Sequence, residues 1–320
     1  MTMKTVFYSF LIFCSVASST SAQTLIFVGD TQSPTIIDKN RFVYNNNDSV
    51  RKEIYTTILE LEKKDAVIHL GDITALADTD PSSEWSDFDM FKDSLTQQKV
   101  PLLPVTGNHE YMLDPVKGIA NFTKRFPERS KSFSVHKFGA LAVIIVNDNF
   151  DQLSPEFIQV QDDWYRNTIN NLEADSTIQY FFVCSHHPPF TNNSVTGPDS
   201  KTKEHFWDIF FESKKSVAYV SGHSHAFEHF IFVHGNSTPV NRNNRFYGGL
   251  KHTIVSGGGG GIQHPLLTGK SKRYEDIAEF DTEIRPFHFL RVSLSKKGLL
   301  GEVVSPFNQG EVLSFFYMRN

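Results

Sequence analysis

Cysteine is scarce in this chain of 320 residues, which contains only Cys14 and Cys184. Cys14 lies in the apolar run Val6–Val16, which follows Lys4 and precedes small residues that end at Ala22. This layout is typical of a secretory signal peptide, and we expect cleavage after Ala22. The mature chain then keeps one cysteine, which excludes an intramolecular disulfide. A domain of this size has a core large enough to fold without one.

Other absences narrow the class of protein. The apolar run at the N-terminus is too short to cross a bilayer, so we predict no integral membrane segment. The formal net charge of −5 gives no support for binding to nucleic acid or to an anionic membrane, which needs a basic face. The chain contains no Gly-x-Ser-x-Gly motif, which would indicate a serine nucleophile. No repeat or Pro/Ser-rich linker divides residues 23–320, which we interpret as one domain.

Strand-like and helix-like segments alternate along the chain, which indicates an α/β fold. Apolar residues at helical spacing predict helices at Ser49–Lys64, Trp85–Leu95, Pro155–Glu173 and Lys203–Ser213. Short apolar runs predict strands at Leu25–Val28, Ala66–Leu70, Leu102–Val105, Ser132–Phe138, Leu141–Asn147, Tyr180–Cys184, Val217–Val220, Thr253–Ser256, His288–Ser293 and Leu299–Val304. The hairpin predicted around Gly139-Ala140, beside βα units, favours mixed sheets over a purely parallel one.

Short polar motifs follow five of the predicted strands. They are Asp30-Thr31-Gln32, Gly71-Asp72, Gly107-Asn108-His109-Glu110, His186-His187-Pro188 and Gly222-His223-Ser224-His225. Any one of them alone is more simply a turn or a core histidine. In an open α/β sheet, however, ligands bind beyond the carboxyl ends of the strands. Five such ends that carry Asp, Asn, Gln and His predict one metal cluster.

These motifs, in this order, resemble those of the calcineurin-like metallophosphoesterases, the superfamily that includes the purple acid phosphatases. The resemblance runs from about Thr24 to about Gly261, and the stretch from Gly222 to Phe230 looks most like the acid-phosphatase branch. It implies two stacked mixed β-sheets flanked by helices, a four-layer α/β/β/α sandwich with metal ions at one edge.

The resemblance also implies roles for individual residues. Asp72 matches the aspartate that bridges two metal ions. The remaining ligands are Asp30 and His225 for the first ion, and Asn108, His186 and His223 for the second. His109 matches the residue that contacts the substrate phosphate and assists protonation; the alternative is a histidine that only supports the ligands by hydrogen bonding.

Two positions depart from the family pattern. Many relatives have His where this chain has Gln32, so the first ion is expected to have a weaker oxygen ligand there or none. Ala75 stands where the purple branch has its tyrosine, which removes the reason to expect ferric iron. The mixed oxygen and imidazole ligand set suits Mn, Zn or Fe.

Three features keep two interpretations each. His187 either shapes the substrate pocket or packs on its loop, which we favour, or binds metal. Asp148 either reaches the site or only makes a turn. The glycines from Gly257 to Gly261 form either a tight backbone passage, which we favour, or a glycine loop beside the metals. They are not a nucleotide-binding P-loop, because no Lys-Ser/Thr pair follows.

The function that the sequence predicts is that of a secreted or periplasmic binuclear-metal hydrolase. A hydroxide that bridges the two ions attacks the phosphorus of a small-molecule phosphate ester, and the ions neutralise the phosphoryl oxygens. A phosphomonoesterase of the acid-phosphatase type is favoured. The alternatives are a phosphodiesterase that acts on nucleotides or phospholipid headgroups, and a metal-poor secreted binding protein.

Overall fold

The computed structural model describes residues 23–42, 47–129, 132–233, 239, 250–277, 280, 282–296 and 298–318. The predicted signal peptide lies outside the described residues. The strands are β1 Thr24–Val28, β2 Ala66–His69, β3 Leu102–Pro104, β4 Ser134–Phe138, β5 Leu141–Ile145, β6 Tyr180–Cys184, β7 Ser216–Ser221, β8 Phe227–Val233, β9 Leu250–Ser256, β10 Phe289–Ser295, β11 Gly298–Val304 and β12 Val312–Met318.

The helices are α1 Ile36–Arg41, α2 Asn47–Glu60, α3 Ser83–Gln97, α4 Pro115–Arg125, α5 Pro155–Ala174, α6 Ser200–Thr202 and α7 Asp208–Glu212. A π-helical segment, Lys203–Trp207, joins α6 to α7. Every predicted helix is present, with bounds that differ by a few residues. Elements α1, α4, β8 and β12 were not predicted from the sequence. The signals for α4 were present, because Asp114 caps it and Pro115 begins it.

The strands form two mixed sheets of six strands each. The first sheet has the order β12-β11-β10-β1-β2-β3, and the second has the order β4-β5-β6-β7-β9-β8. Strands β1, β2 and β3 are parallel, with Phe27 beside Ile68. Strands β5, β6, β7 and β9 are also parallel. The carboxyl ends of the motif-bearing strands therefore lie along one edge of each sheet.

An apolar layer joins the inner faces of the two sheets. The rings of Phe27 and Phe182, one from each sheet, lie 5.6 Å apart, and Cys184 is a free thiol buried in this layer. Helices α2, α3 and α4 cover the outer face of the first sheet. Helices α5 and α7 cover that of the second. The predicted four-layer α/β/β/α sandwich is confirmed, and none of the helices in the described ranges is long and apolar enough to cross a membrane.

Candidate metal centre

The loops after the parallel strands carry the predicted ligands in an unusual backbone conformation. Asp30, Asp72, His223 and His225 have positive φ angles of 61°, 55°, 66° and 48°. The left-handed backbone conformation is unfavourable by on the order of 1–3 kcal/mol for a residue that has a Cβ. Two of these residues follow strands of the first sheet and two follow β7 of the second, so the fold holds side chains from both sheets in positions that ordinary turns would not give.

One set of ligand atoms surrounds the ring of His186. Its Nε2 lies 3.0 Å from Asn108 Oδ1, 3.2 Å from His223 Nδ1 and 3.3 Å from Asp72 Oδ1. Two donors that bind one ion at about 2.1 Å and at right angles lie about 3.0 Å apart. These separations therefore fit a single cation, and the set contains every ligand predicted for the second ion.

A second set of ligand atoms lies on the other side of Asp72. His225 Nε2 is 3.4 Å from Asp30 Oδ1, and the amide nitrogen of Gln32 is 3.0 Å from His225 Nε2 and 3.2 Å from Asp72 Oδ2. Asp72 thus directs Oδ1 to the set around His186 and Oδ2 to this one, which is the geometry of a bridging carboxylate. Gln32 lies in this set as well, and its carbonyl oxygen is buried without a hydrogen-bond partner.

Backbone carbonyls fix the histidine tautomers. His186 Nδ1 donates to Leu70 O at 2.8 Å, and His225 Nδ1 donates to Ile262 O at 2.6 Å. Each ring therefore presents Nε2 to the other predicted ligands, and a metal ion bound there would displace the proton that His186 holds in the metal-free protein. His109 Nδ1 donates to Ala75 O at 2.7 Å in the same way, which leaves its Nε2 3.8 Å from Asp72 Oδ2.

Glycines let the loops close around the carboxylates. A Cβ on Gly107 would lie 2.2 Å from Asp72 Oδ1, and a Cβ on Gly222 or Gly257 would lie 2.5 or 2.6 Å from Asp30 Oδ2. The N–H of Gly261 donates to Asp30 O at 2.7 Å. The glycine-rich loop is thus both a tight backbone passage and a wall of the candidate metal centre, so its two interpretations are compatible.

The burial of these charges explains why the site suits cations. Burial, together with the charge of Asp72, raises the pKa of Asp30 well above its ordinary value. Burial also acts to raise the pKa of Asp72, but His186, His109 and His223 together outweigh it and lower this pKa. Burial acts to lower the pKa of His186, yet the Asp72 carboxylate raises it to about 10. Burial lowers the pKa values of His223 and His225. Buried carboxylates beside the neutral imidazoles of His223 and His225 form a donor set that cations stabilise.

Glu110 belongs to one of the five motifs, but no role was predicted for it from the sequence. Its buried Oε2 accepts from the N–H groups of Asp72 at 3.0 Å and Gly107 at 2.6 Å, and Oε1 accepts from Ile73 at 2.9 Å. Burial and the charge of Asp72 raise the pKa of Glu110 to about 7. Glu110 thus ties the loop after β2 to the loop after β3. The signal in the sequence was its place directly after the ligand motif.

The two residues predicted for the pocket contact each other. Asp148 Oδ1 lies 3.1 Å from His187 Nδ1, and Oδ2 accepts from the His187 N–H at 2.7 Å. Burial acts to raise the pKa of Asp148, but His187 outweighs it and lowers this pKa. Both residues border a cavity of about 250 Å³ that extends from Asn108 toward Lys201. Asp148 and His187 thus lie beside Asn108, one of the predicted ligands, and their role in the pocket stays a prediction.

Two mixed sheets with a cluster of carboxylates and imidazoles along one edge define the architecture of a metal-dependent phosphoesterase. The sequence profile of the calcineurin-like phosphoesterase family matches residues 24–227, and the chain belongs to this family. The predicted resemblance is confirmed, and the chain is a metal-dependent phosphoric ester hydrolase. The assignment of individual ligands stays a prediction.

Solved structures show the same fold at low sequence identity. GAP50, described as the anchor in the inner membrane complex of Plasmodium, aligns with a TM-score of 0.65 at 13% identity and covers 93% of this chain and 89% of its own. A purple acid phosphatase from yellow lupin (Lupinus luteus) gives 0.65 at 17% identity, over 92% of this chain and 53% of the lupin chain. A dimetal phosphatase from Danio rerio gives 0.55 at 12% identity, over 92% and 99%. No curated protein matches the chain in sequence.

Proposed function

We propose that this protein is a secreted phosphomonoesterase with a binuclear metal centre. The observation that carries the proposal is the position of Asp72, whose two oxygens face two separate sets of ligand atoms. Asp30 and His225 belong to the first set, beside the amide nitrogen of Gln32, and Asn108, His186 and His223 complete the second. Two ions bound there supply an activated water and neutralise charge on the phosphoryl group.

His109 is the residue of this chain that is placed to move a proton. Its N–H donates to Asp72 Oδ1 at 2.9 Å, and its ring is held by Ala75 O, so Nε2 faces the site. The side chain is 12% exposed, which leaves its edge accessible from solvent. In this position the ring can hold a proton for the leaving oxygen of the ester.

The cavity beside Asn108 supports a monoester over a diester. Its volume of about 250 Å³ lies below the roughly 300–1,000 Å³ of typical small-molecule sites. A phosphoryl group at the ions then leaves room for one modest leaving group. Tyr111, Met112 and Phe150 give this cavity an apolar wall, and the Lys201–Asp151 ion pair of 2.5 Å lies at its border.

The test combines metal analysis with two chromogenic substrates. We expect two metal ions per chain, and chelator-sensitive cleavage of p-nitrophenyl phosphate that is faster than cleavage of bis(p-nitrophenyl) phosphate and is restored by Mn or Zn. Asp72→Ala should abolish cleavage. Asp162→Ala is the matched control, because Asp162 also pairs with a histidine, His205 at 2.8 Å, without belonging to the centre. Faster cleavage of the diester would favour the phosphodiesterase.

The alternative of a metal-poor binding protein gains some support from the similarity to GAP50, whose described role is that of an anchor. Less than one ion per chain, with no activity after incubation with Mn or Zn, would favour this alternative.

Export is tested separately. We expect the mature protein to begin at Gln23, and mass spectrometry of protein from the culture medium or periplasm checks this.

A further inference from the structure

His187 lies next to the second set of ligand atoms, although the sequence favoured a pocket role for it over metal binding. Its ring is 4.4 Å from the ring of His223 and 4.9 Å from that of His186. One ring nitrogen of each of these three histidines lies within 4.8 Å of those of the other two. Three imidazoles so close together form a cluster with the spacing of metal ligands.

Asp148 fixes the orientation of the His187 ring. The carboxylate is buried. It accepts a hydrogen bond from Nδ1 of His187 at 3.1 Å and another from the backbone N–H of the same residue at 2.7 Å. Thr202 Oγ1 donates to the same carboxylate at 3.2 Å, so Asp148 cannot easily turn away. With its proton on Nδ1, the imidazole keeps its lone pair on Nε2. Metal-binding histidines usually donate their other ring N–H to a carboxylate, a backbone carbonyl or water, and Asp148 is such a partner for His187.

We propose that His187 is a further ligand of the second ion, which it binds through Nε2 in an orientation set by Asp148. The inference rests on the proposed binuclear centre and deepens it. The second ion would then have three imidazoles, His186, His187 and His223, besides Asn108 and Asp72. The first ion has a single imidazole, His225, among oxygen ligands.

This asymmetry gives the two positions different metal preferences. Imidazole-rich sites favour Zn and Fe, whereas oxygen-rich sites admit Mn and Mg. We expect Zn²⁺ to fill the second position first, and Mn²⁺ to compete effectively only at the first. The enzyme would then work best with two different ions.

The experiment is a Zn²⁺ titration of the metal-free protein against a chromophoric chelator, with X-ray absorption at the Zn edge on samples that contain one Zn per chain. We expect His187→Ala to weaken the tighter binding step by about tenfold or more and to remove one imidazole from the coordination shell. Asp148→Asn should weaken the same step less. His205→Ala is the matched control, since His205 also pairs with a carboxylate but belongs to neither group of candidate metal ligands found among the described residues.

Unchanged Zn²⁺ dissociation constants in a folded His187→Ala protein would overturn the inference, and a raised KM with unchanged constants would make His187 a substrate contact instead. His187→Gln, with circular dichroism, guards against misfolding of the alanine variant. If the wild-type protein binds less than one Zn²⁺ per chain, the proposed binuclear centre fails with the inference. Two ions in the wild type and no effect of His187→Ala would refute the inference alone.

Discussion

Gly107→Ala should damage the metal centre through a single added methyl group. Its Cβ would lie 2.2 Å from Asp72 Oδ1, 2.5 Å from Asp72 N and 2.9 Å from His186 Cε1. Ordinary contact between carbon and oxygen needs more than about 3 Å, so Asp72 or the Gly107 backbone must move by about 1 Å. Glu110 opposes this movement, because it accepts from the N–H groups of both residues.

The size of the effect follows from this displacement. Overpacking a close contact costs about 1–3 kcal/mol of unfolding free energy. A bridging carboxylate that moves by about 1 Å can no longer bind both ions at bond lengths near 2.1 Å. We therefore expect weaker binding of both ions, by about 10–100-fold each, and a matching loss of phosphatase activity at a fixed metal concentration.

The assays are metal titration of the chelator-treated protein and urea unfolding without metal. Gly301→Ala is the matched control, because its Cβ would lie 2.5 Å from the Phe316 ring, in the core and away from the ligands. We expect a similar loss of unfolding free energy in that variant but unchanged metal affinity. Wild-type metal affinity in Gly107→Ala would refute the assignment of Asp72 as the bridge.

Three further outcomes are expected. The pKa of His186 is raised to about 10 beside Asp72, so metal binding at pH 7.5 should release a proton. The heat of metal binding, measured by calorimetry, should therefore depend on the buffer. A heat that is the same in all buffers would contradict this. Burial raises the pKa of Glu110 from 4.5 to about 7, so the folded state keeps a proton that the unfolded chain loses in that window. The unfolding free energy of the metal-free protein should therefore fall as pH rises from 4.5 to 7, and urea titrations of Glu110→Gln should lack this component. Phe182→Ala removes a ring that packs on Phe27 between the sheets, and it should cost about 3–5 kcal/mol of unfolding free energy. The metal-binding constants should be retained. A loss of unfolding free energy below about 1 kcal/mol would contradict the central packing role of this ring.

Local sequence signals account for much of the fold. The apolar runs before Asp30, Asp72 and His186 predicted buried strands, because such runs can be covered only inside a layered domain. Ser154 and Pro155 marked the start of α5, where Ser154 Oγ accepts from the N–H of Phe157. These signals lie within a few residues of one another, so they can be interpreted without the tertiary structure.

The sheet order and the missed elements depend on distant contacts. Strand β10 pairs with β1, so that Thr24 lies beside Ser293, and no local pattern predicts that pairing. Helix α1 has no buried residue, which removes the apolar periodicity by which helices are predicted.

The candidate site divides in the same way. The sequence by itself determined which side chains can bind a metal, because Asp, Asn and His at strand ends are chemically fixed ligands whose order along the chain is informative. Only the tertiary structure decided that Asp72 directs one oxygen to each set of ligands, that Glu110 ties two loops together, and that Asp148 orients His187. Each of these contacts is a distance of about 3 Å between residues that are far apart in sequence. Only folding brings the strands that carry these residues to one edge of the sandwich.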